Sequence, residues 1–172
     1  MTASLESVMT RAADIRLLIL DVDGVLTDGR LYFTARGEEM KCFHVRDGAG
    51  VVQLQRTGIH VGLISGRKSD AVQRRAEELG IQYVRQGVEN KLVALQEILS
   101  QINIANTAFA CIGDDTVDIP IMREARLAIA VADAHASVKA VAHFTTEAPG
   151  GRGAVREACD LILAAQRDKS AA

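Results

Sequence analysis

Five short runs rich in Val, Ile and Leu, each separated from the next by a segment of a different period, predict an α/β fold: a Rossmann-like parallel sheet with helices on both faces. The apolar runs are Leu17–Leu20, Ile59–Ile64, Ile81–Val84, Ala108–Ile112 and Leu127–Val131, and their unbroken hydrophobicity is that of strands covered on both sides. Between and after them, Val51–Thr57, Asp70–Leu79, Lys91–Gln101, Asp118–Glu124 and Ser137–Ala142 carry apolar residues at three- and four-residue spacing, the mark of amphipathic helices. Gly58 and Gly80 stand where two of these helices should stop. Repeated strand–helix units wind into a parallel sheet because the crossover connection is right-handed.

One segment departs from that rhythm. Arg30–Thr34 and Glu39–Val45 are β-prone and flank Ala35-Arg36-Gly37-Glu38, which predicts a β-hairpin insertion over about residues 30–45, after the first strand. No insertion is long enough for a separate cap domain. Residues 1–172 are therefore expected to form a single domain, with a mobile tail over about 149–172 that begins at the glycine-rich Pro149–Gly153.

Composition narrows the partners. The chain is 48% hydrophobic and 24% charged with only 3% aromatic residues, so its core must be built from aliphatic side chains. A formal net charge of −2 offers no excess of cations to neutralise a nucleic-acid backbone, so no nucleic-acid partner is expected. No apolar run approaches the roughly 20 residues that cross a bilayer, so no membrane partner is expected either. Cys42, Cys111 and Cys159 are widely spaced and lack zinc or disulfide patterning, and the first residues lack a secretory pattern; both point to a reduced, cytoplasmic protein.

The chemistry is concentrated where strands end. The first strand runs into Asp21-Val22-Asp23-Gly24, placing two carboxylates at the carboxyl edge of a sheet, where open α/β folds bind ligands. Gly24 lets the backbone turn there, so the two side chains can surround one reacting centre as nucleophile and proton donor. Alone, the same residues also suit a polar turn, whereas a calcium loop is disfavoured because the remaining ligands are missing. A second acidic cluster, Gly113-Asp114-Asp115-Thr116-Val117-Asp118, follows the fourth apolar run. If those two strands are neighbours, Asp114 approaches Asp21 and Asp23 and completes an oxygen-rich site for a hard cation such as Mg²⁺. Asp115 or Thr116 would cap the next helix, and Asp118, one turn on, would orient the metal site from behind.

Ser65 ends another strand and, with the amides of Gly66-Arg67-Lys68, offers donors for phosphate oxygens, although Ser-Gly before a helix also reads as a cap. Lys91 opens a helix, where the positive end of the dipole disfavours a cation. Such a broken local rule marks either a solvated surface lysine or a functional one, placed to neutralise Asp21 and a phosphoryl group.

In this order, Asp21-x-Asp23, Ser65, Lys91 and Gly113-Asp114-x-x-x-Asp118 resemble the haloacid dehalogenase superfamily of phosphotransferases. The resemblance implies that Asp21 attacks phosphorus, that Asp23 is general acid and base, and that Mg²⁺ is held by Asp21, the backbone carbonyl of Asp23 and Asp114. It is closest to the small, capless sugar-acid phosphate phosphatases, through Asp21-Val22-Asp23-Gly24-Val25-Leu26-Thr27-Asp28-Gly29, His44-Val45-Arg46-Asp47-Gly48 and Gly150-Gly151-Arg152-Gly153-Ala154-Val155-Arg156-Glu157. Sialic-acid-type sugar phosphate phosphatases share much of this pattern. The resemblance further implies a homotetramer assembled through the hairpins, with active sites at subunit interfaces. It gives substrate contacts to Asp23, His44, Val45, Arg46, Asp47, Gly48, Arg67, Arg75, Lys91 and Arg152. The intact set of Asp21, Asp23, Ser65, Lys91 and Asp114 argues against a retired fold that serves only in assembly.

Overall fold

The computed structural model describes residues 4–37, 39–105 and 108–171. Its centre is a sheet of six parallel strands in the order β5-β4-β1-β6-β7-β8: β1 Leu17–Leu20, β4 His60–Ser65, β5 Tyr83–Gln86, β6 Phe109–Gly113, β7 Leu127–Ala130 and β8 Phe144–Thr145. The first four strands were expected within two residues of where they lie or better, and β7 starts on the expected residue. β8 was not expected, since two residues carry too little pattern to read. Every residue of β1, β6 and β7 is buried, as their continuous apolar character requires.

β1 pairs in parallel with both β4 and β6, Leu20 standing opposite Leu63 on one side and Ile112 on the other. The neighbourhood of the first and fourth expected strands, on which the metal site depended, is therefore present. This register brings the ends of three strands level, and Asp21, Ser65 and Gly113-Asp114 leave the sheet along one edge.

The hairpin is short. β2 Tyr32–Phe33 pairs antiparallel with β3 Glu39–Met40, and the second β-prone run does not continue to Val45. Of the expected turn, Glu38 lies outside the described residues. Instead α2 spans Val45–Arg56, six residues longer at its start than periodicity indicated. Gly48 and Gly50 disguised that first turn, because glycine is a poor helix former. Both are there for space. A β-carbon on Gly48 would meet Leu79 at 3.0 Å and the guanidinium of Arg75, and one on Gly50 would lie 3.0 Å from the Arg156 side chain and 3.3 Å from that of Cys159.

The other helices are α1 Leu5–Ala12, α3 Asp70–Glu78, α4 Lys91–Ile102, α5 Ile119–Glu124, α6 Ala136–Val141 and α7 Ala154–Ala171. Two corrections concern the ends of the chain. α1 was not expected; Ser4 caps it by accepting from the Ser7 amide at 3.3 Å. Residues read as a mobile tail form α7, which buries Ala154, Val155, Ala158, Cys159 and Ile162 and packs along α2 and α1. Small residues on the α7 face, matched by the glycines of α2, allow the two helix backbones to approach closely. Ala172, the last residue of the expected tail, lies outside the described residues.

The glycine-rich run before α7 is also docked. The Gly151 amide donates to the Val25 carbonyl at 2.8 Å, the Gly150 amide donates to Asp133 at 2.9 Å, and a side chain at either glycine would strike the backbone between Gly24 and Asp28. No helix among the described residues is long and apolar enough to cross a membrane.

At the far edge of the sheet, the Ala128 amide donates to Nδ1 of His143 at 2.9 Å. Burial, aided by the Arg11 charge, holds this imidazole below its ordinary value, so the folded protein favours the neutral ring. The unfolded chain binds that proton more readily, and the contribution to stability is complete above the ordinary histidine value of about 6.5 and lost as pH falls through the lower folded value. Urea midpoints measured between about pH 7.5 and pH 5.5 should fall for the natural sequence, and His143→Gln should flatten that part of the decline.

Candidate active site

The carboxyl ends of β1, β4 and β6 line a cavity of about 380 Å³ whose walls include Asp21, Asp23, Ser65, Arg67, Lys91 and Asp114. Its centre is a buried ion cluster. Lys91 Nζ donates to Asp21 Oδ1 at 2.7 Å and to Asp118 Oδ1 at 2.6 Å. This explains the lysine at a helix start. Asn90 caps α4 by accepting from the Leu92 and Val93 amides, while the Lys91 side chain, 7% exposed, leaves the helix axis to lie between two carboxylates. Burial alone would lower its proton affinity, but Asp21 and Asp118 hold the ammonium well above its ordinary value, so Lys91 is charged.

Asp118 is fully buried and both its oxygens are engaged. Oδ1 takes Lys91, and Oδ2 accepts from the Asp114 amide at 3.1 Å and the Asp115 amide at 3.3 Å. It thereby fixes the lysine and the turn that presents Asp114. Asp115 caps the 3-10 turn Thr116–Asp118 by accepting from the Thr116 amide at 2.7 Å, as a residue at the start of a helical turn should.

Asp114 rises through the gap beside Gly24, whose φ of +90° and missing side chain are both required: a β-carbon there would overlap the Asp114 carboxylate. Burial and the nearby charges of Asp21, Asp118 and Asp115 push Asp114 up to about 8. Burial likewise raises Asp21 to about 6, with Lys91 opposing and Asp118 adding to the rise. Single oxygens of Asp21, Asp114 and Asp118 lie within 4.8 Å of one another. Since Asp118 is occupied, Asp21 and Asp114 are the pair with oxygens to offer, and their mutual repulsion is what a hard, oxygen-seeking cation relieves. These residues fit Mg²⁺.

Ser65 is buried, and its Oγ accepts from the Arg67 amide at 3.2 Å. It does not cap α3, which starts at Asp70 behind Ser69, and it lines the cavity beside Gly66 and Arg67.

The region around Asp23 holds what sequence reasoning missed. The ammonium of Lys41, just beyond β3, contacts Asp23 Oδ1 and lies 3.4 Å from Glu39. Arg67 Nη2 donates to Glu39 Oε1 at 2.7 Å, with its Nε 3.8 Å from Asp23 Oδ2. Glu39 and Lys41 share one side of an extended segment, an i, i+2 charge pair that was the only available signal.

Other expected contacts do not line this cavity within one chain. The carboxylate of Asp47 accepts from the Arg156 amide at 2.8 Å and the Gly153 amide at 3.3 Å, tying the start of α2 to that of α7. Burial raises Asp47 against the pull of those amides. His44 Nδ1 is 3.8 Å from Asp47, and Arg75 pairs with Glu78 at 2.7 Å and lies over the Phe43 ring. Gly48 is buried against Arg75, whereas Val45, Arg46 and Arg152 are exposed.

The chain belongs to the haloacid dehalogenase-like hydrolases, whose family model matches residues 84–156. Within that class its relatives include sugar-acid phosphate phosphatases. It is 49% identical to the 3-deoxy-D-manno-octulosonate 8-phosphate phosphatase KdsC of Yersinia pestis over 161 residues, 94% of this chain and 86% of the relative. The enzyme of that name from Escherichia coli strain K12 is 48% identical over 92% of this chain and 85% of its own length. A crystal structure of the Yersinia pestis enzyme superposes with a TM-score of 0.93 at 48% identity, covering 96% of this chain and 89% of that one. The Moraxella catarrhalis phosphatase, in complex with magnesium, phosphate and KDO, also superposes with a TM-score of 0.93, at 40% identity over 98% and 97% of the two chains.

Removing Asp118 leaves the buried Lys91 with one anion and two amides without their acceptor. Asp118→Ala should lower the unfolding free energy by about 3–5 kcal/mol, the usual cost of breaking a buried ion pair from one side, as read by urea denaturation.

Proposed function

We propose that this protein hydrolyses 3-deoxy-D-manno-octulosonate 8-phosphate to the free sugar acid and phosphate, with Mg²⁺, in the cytoplasmic synthesis of lipopolysaccharide precursors. The observation that carries the chemistry is Asp21 held 2.7 Å from a buried, charged Lys91 in the wall of the cavity. The substrate rests on relatives that match nearly the whole chain at about half identity.

In the first step an Asp21 oxygen attacks phosphorus, the bond from phosphorus to the sugar oxygen breaks, and Asp23 gives that oxygen a proton. In the second, Asp23 takes a proton from water, which displaces phosphate and restores Asp21. Lys91 and the Ser65 hydroxyl bind the phosphoryl oxygens. Held by Asp21, the Asp23 carbonyl and Asp114, Mg²⁺ supplies the positive charge that lets a carboxylate approach a phosphate dianion. Asp115 and Asp118 keep the Asp114 turn and Lys91 in place.

Substrate selection and assembly belong together in this reading. Leu31, Phe33, Met40 and Val45 are large apolar residues left exposed on and just beyond the hairpin, and they support packing of four copies through it. Assembly of that kind brings His44–Gly48, Arg67, Arg75 and Arg152 of the copies toward shared active sites.

Asp21→Asn should reduce phosphate release by about 10³-fold or more while leaving the folded circular dichroism spectrum unchanged; activity that survives the substitution would sink the mechanism. A panel of sugar-acid phosphates should place 3-deoxy-D-manno-octulosonate 8-phosphate first by kcat/KM, and preference for a nonulosonate 9-phosphate would reassign the substrate. Light scattering should give the mass of four chains, and Phe33→Glu with Met40→Glu should reduce it.

A further inference from the structure

Asp23 is held by two cations of very different character. The Lys41 side chain is 2% exposed and that of Arg67 is 46% exposed. Lys41 engages Oδ1 of Asp23, whereas Arg67 stays 3.8 Å from Oδ2, beyond hydrogen-bond distance. The two carboxylate oxygens are thereby sorted. One is fixed by an ammonium that does not line the cavity, and the other has only a longer-range charge beside it, from an arginine that does.

Lys41 is itself fixed. Glu39, 3.4 Å away, is anionic: burial alone would raise it, but the Ser69 hydroxyl, Arg67 and Lys41 hold it below the ordinary carboxylate range. Glu39 therefore balances the buried ammonium and keeps its direction toward Asp23. A buried lysine with no such role would carry a desolvation cost that an apolar residue avoids. The backbone gives further reason for the brace, since β1 ends at Leu20 and the turn that follows, with its φ of +90° at Gly24, leaves the Asp23 side chain without the support of a sheet neighbour.

We propose that Lys41 is a positioning residue for the reaction: it fixes one oxygen of Asp23 so that the other meets the oxygen of the departing sugar. The proposal rests on the assignment of Asp23 as proton donor. Its consequence is selective. An alkyl phosphate such as a sugar phosphate needs a proton on its leaving oxygen, whereas an aryl phosphate departs without one. Because kcat/KM reports steps only as far as departure of the leaving group, it isolates this role from the later attack of water.

Lys41→Met should lower kcat/KM for the sugar phosphate by about 10²-fold, the scale of general acid catalysis, through kcat and not KM. For p-nitrophenyl phosphate the loss should stay below about threefold, and Lys41→Arg should recover most of the sugar-phosphate rate. Melting temperature, and its rise on adding Mg²⁺, should be retained, since Asp21 and Asp114 are untouched; if Lys41→Met does not fold, Lys41→Gln takes its place. In a double-mutant cycle on the sugar phosphate, Lys41→Met should add almost nothing once Asp23→Ala is present. Equal losses on both substrates, a change confined to KM, or additive effects in the cycle would overturn the role of Lys41. If Asp23→Ala itself leaves the sugar-phosphate rate intact, the assignment of Asp23 falls, and the proposal falls with it.

Discussion

The site depends on one buried lysine held by carboxylates from two different places in the chain. Lys91 starts α4, Asp21 ends β1 and Asp118 lies in the turn after β6, and their 2.6 and 2.7 Å contacts require all three elements to be in register. Two anions and one cation still leave the cluster negative before Asp114 is counted. That surplus in a poorly solvated place is what a hard cation would relieve. Asp118, which does not line the cavity, holds the lysine from one side and leaves it beside Asp21 in the cavity wall.

The legible parts of the sequence were those in which one local property decided the outcome. The strands could be read because burial on both faces leaves unbroken apolar runs, and Asp21, Ser65 and Asp114 could be read because each follows such a run. Lys91 stood out by violating the helix dipole, and the structure gives the compensating carboxylates. What stayed hidden depended on contact between distant segments. The first turn of α2 contains Gly48 and Gly50 because α3 and α7 pass close by, so local propensity argued against a helix that packing maintains. The α7 helix was concealed by the glycines before it, which read as loose when they are in fact fitted to a neighbouring backbone. Lys41 and Glu39 carried no motif; only the folding back of the hairpin places them beside Asp23.

The hairpin therefore has two faces with different work. Exposed Met40 stands on one with Tyr32, while Glu39 and the following Lys41, on the side that also carries Phe33, turn toward Asp23 and Arg67. Phe33 thus shares its side of the hairpin with the charged contacts that reach Asp23. Because Arg67 shares Glu39 with Lys41, movement of that exposed arginine toward a bound anion would alter the same network without displacing the buried lysine.

The fit of Gly150 and Gly151 against the turn at Gly24–Asp28 also sets an order of events at the ribosome. Asp21 is made well before the backing of its loop, which lies more than a hundred residues later. A nascent chain can form β1, β4 and the neighbouring helices while the turn after Asp23 still lacks its cover. The phosphatase site is thus completed only after these glycines have been made and drawn into place.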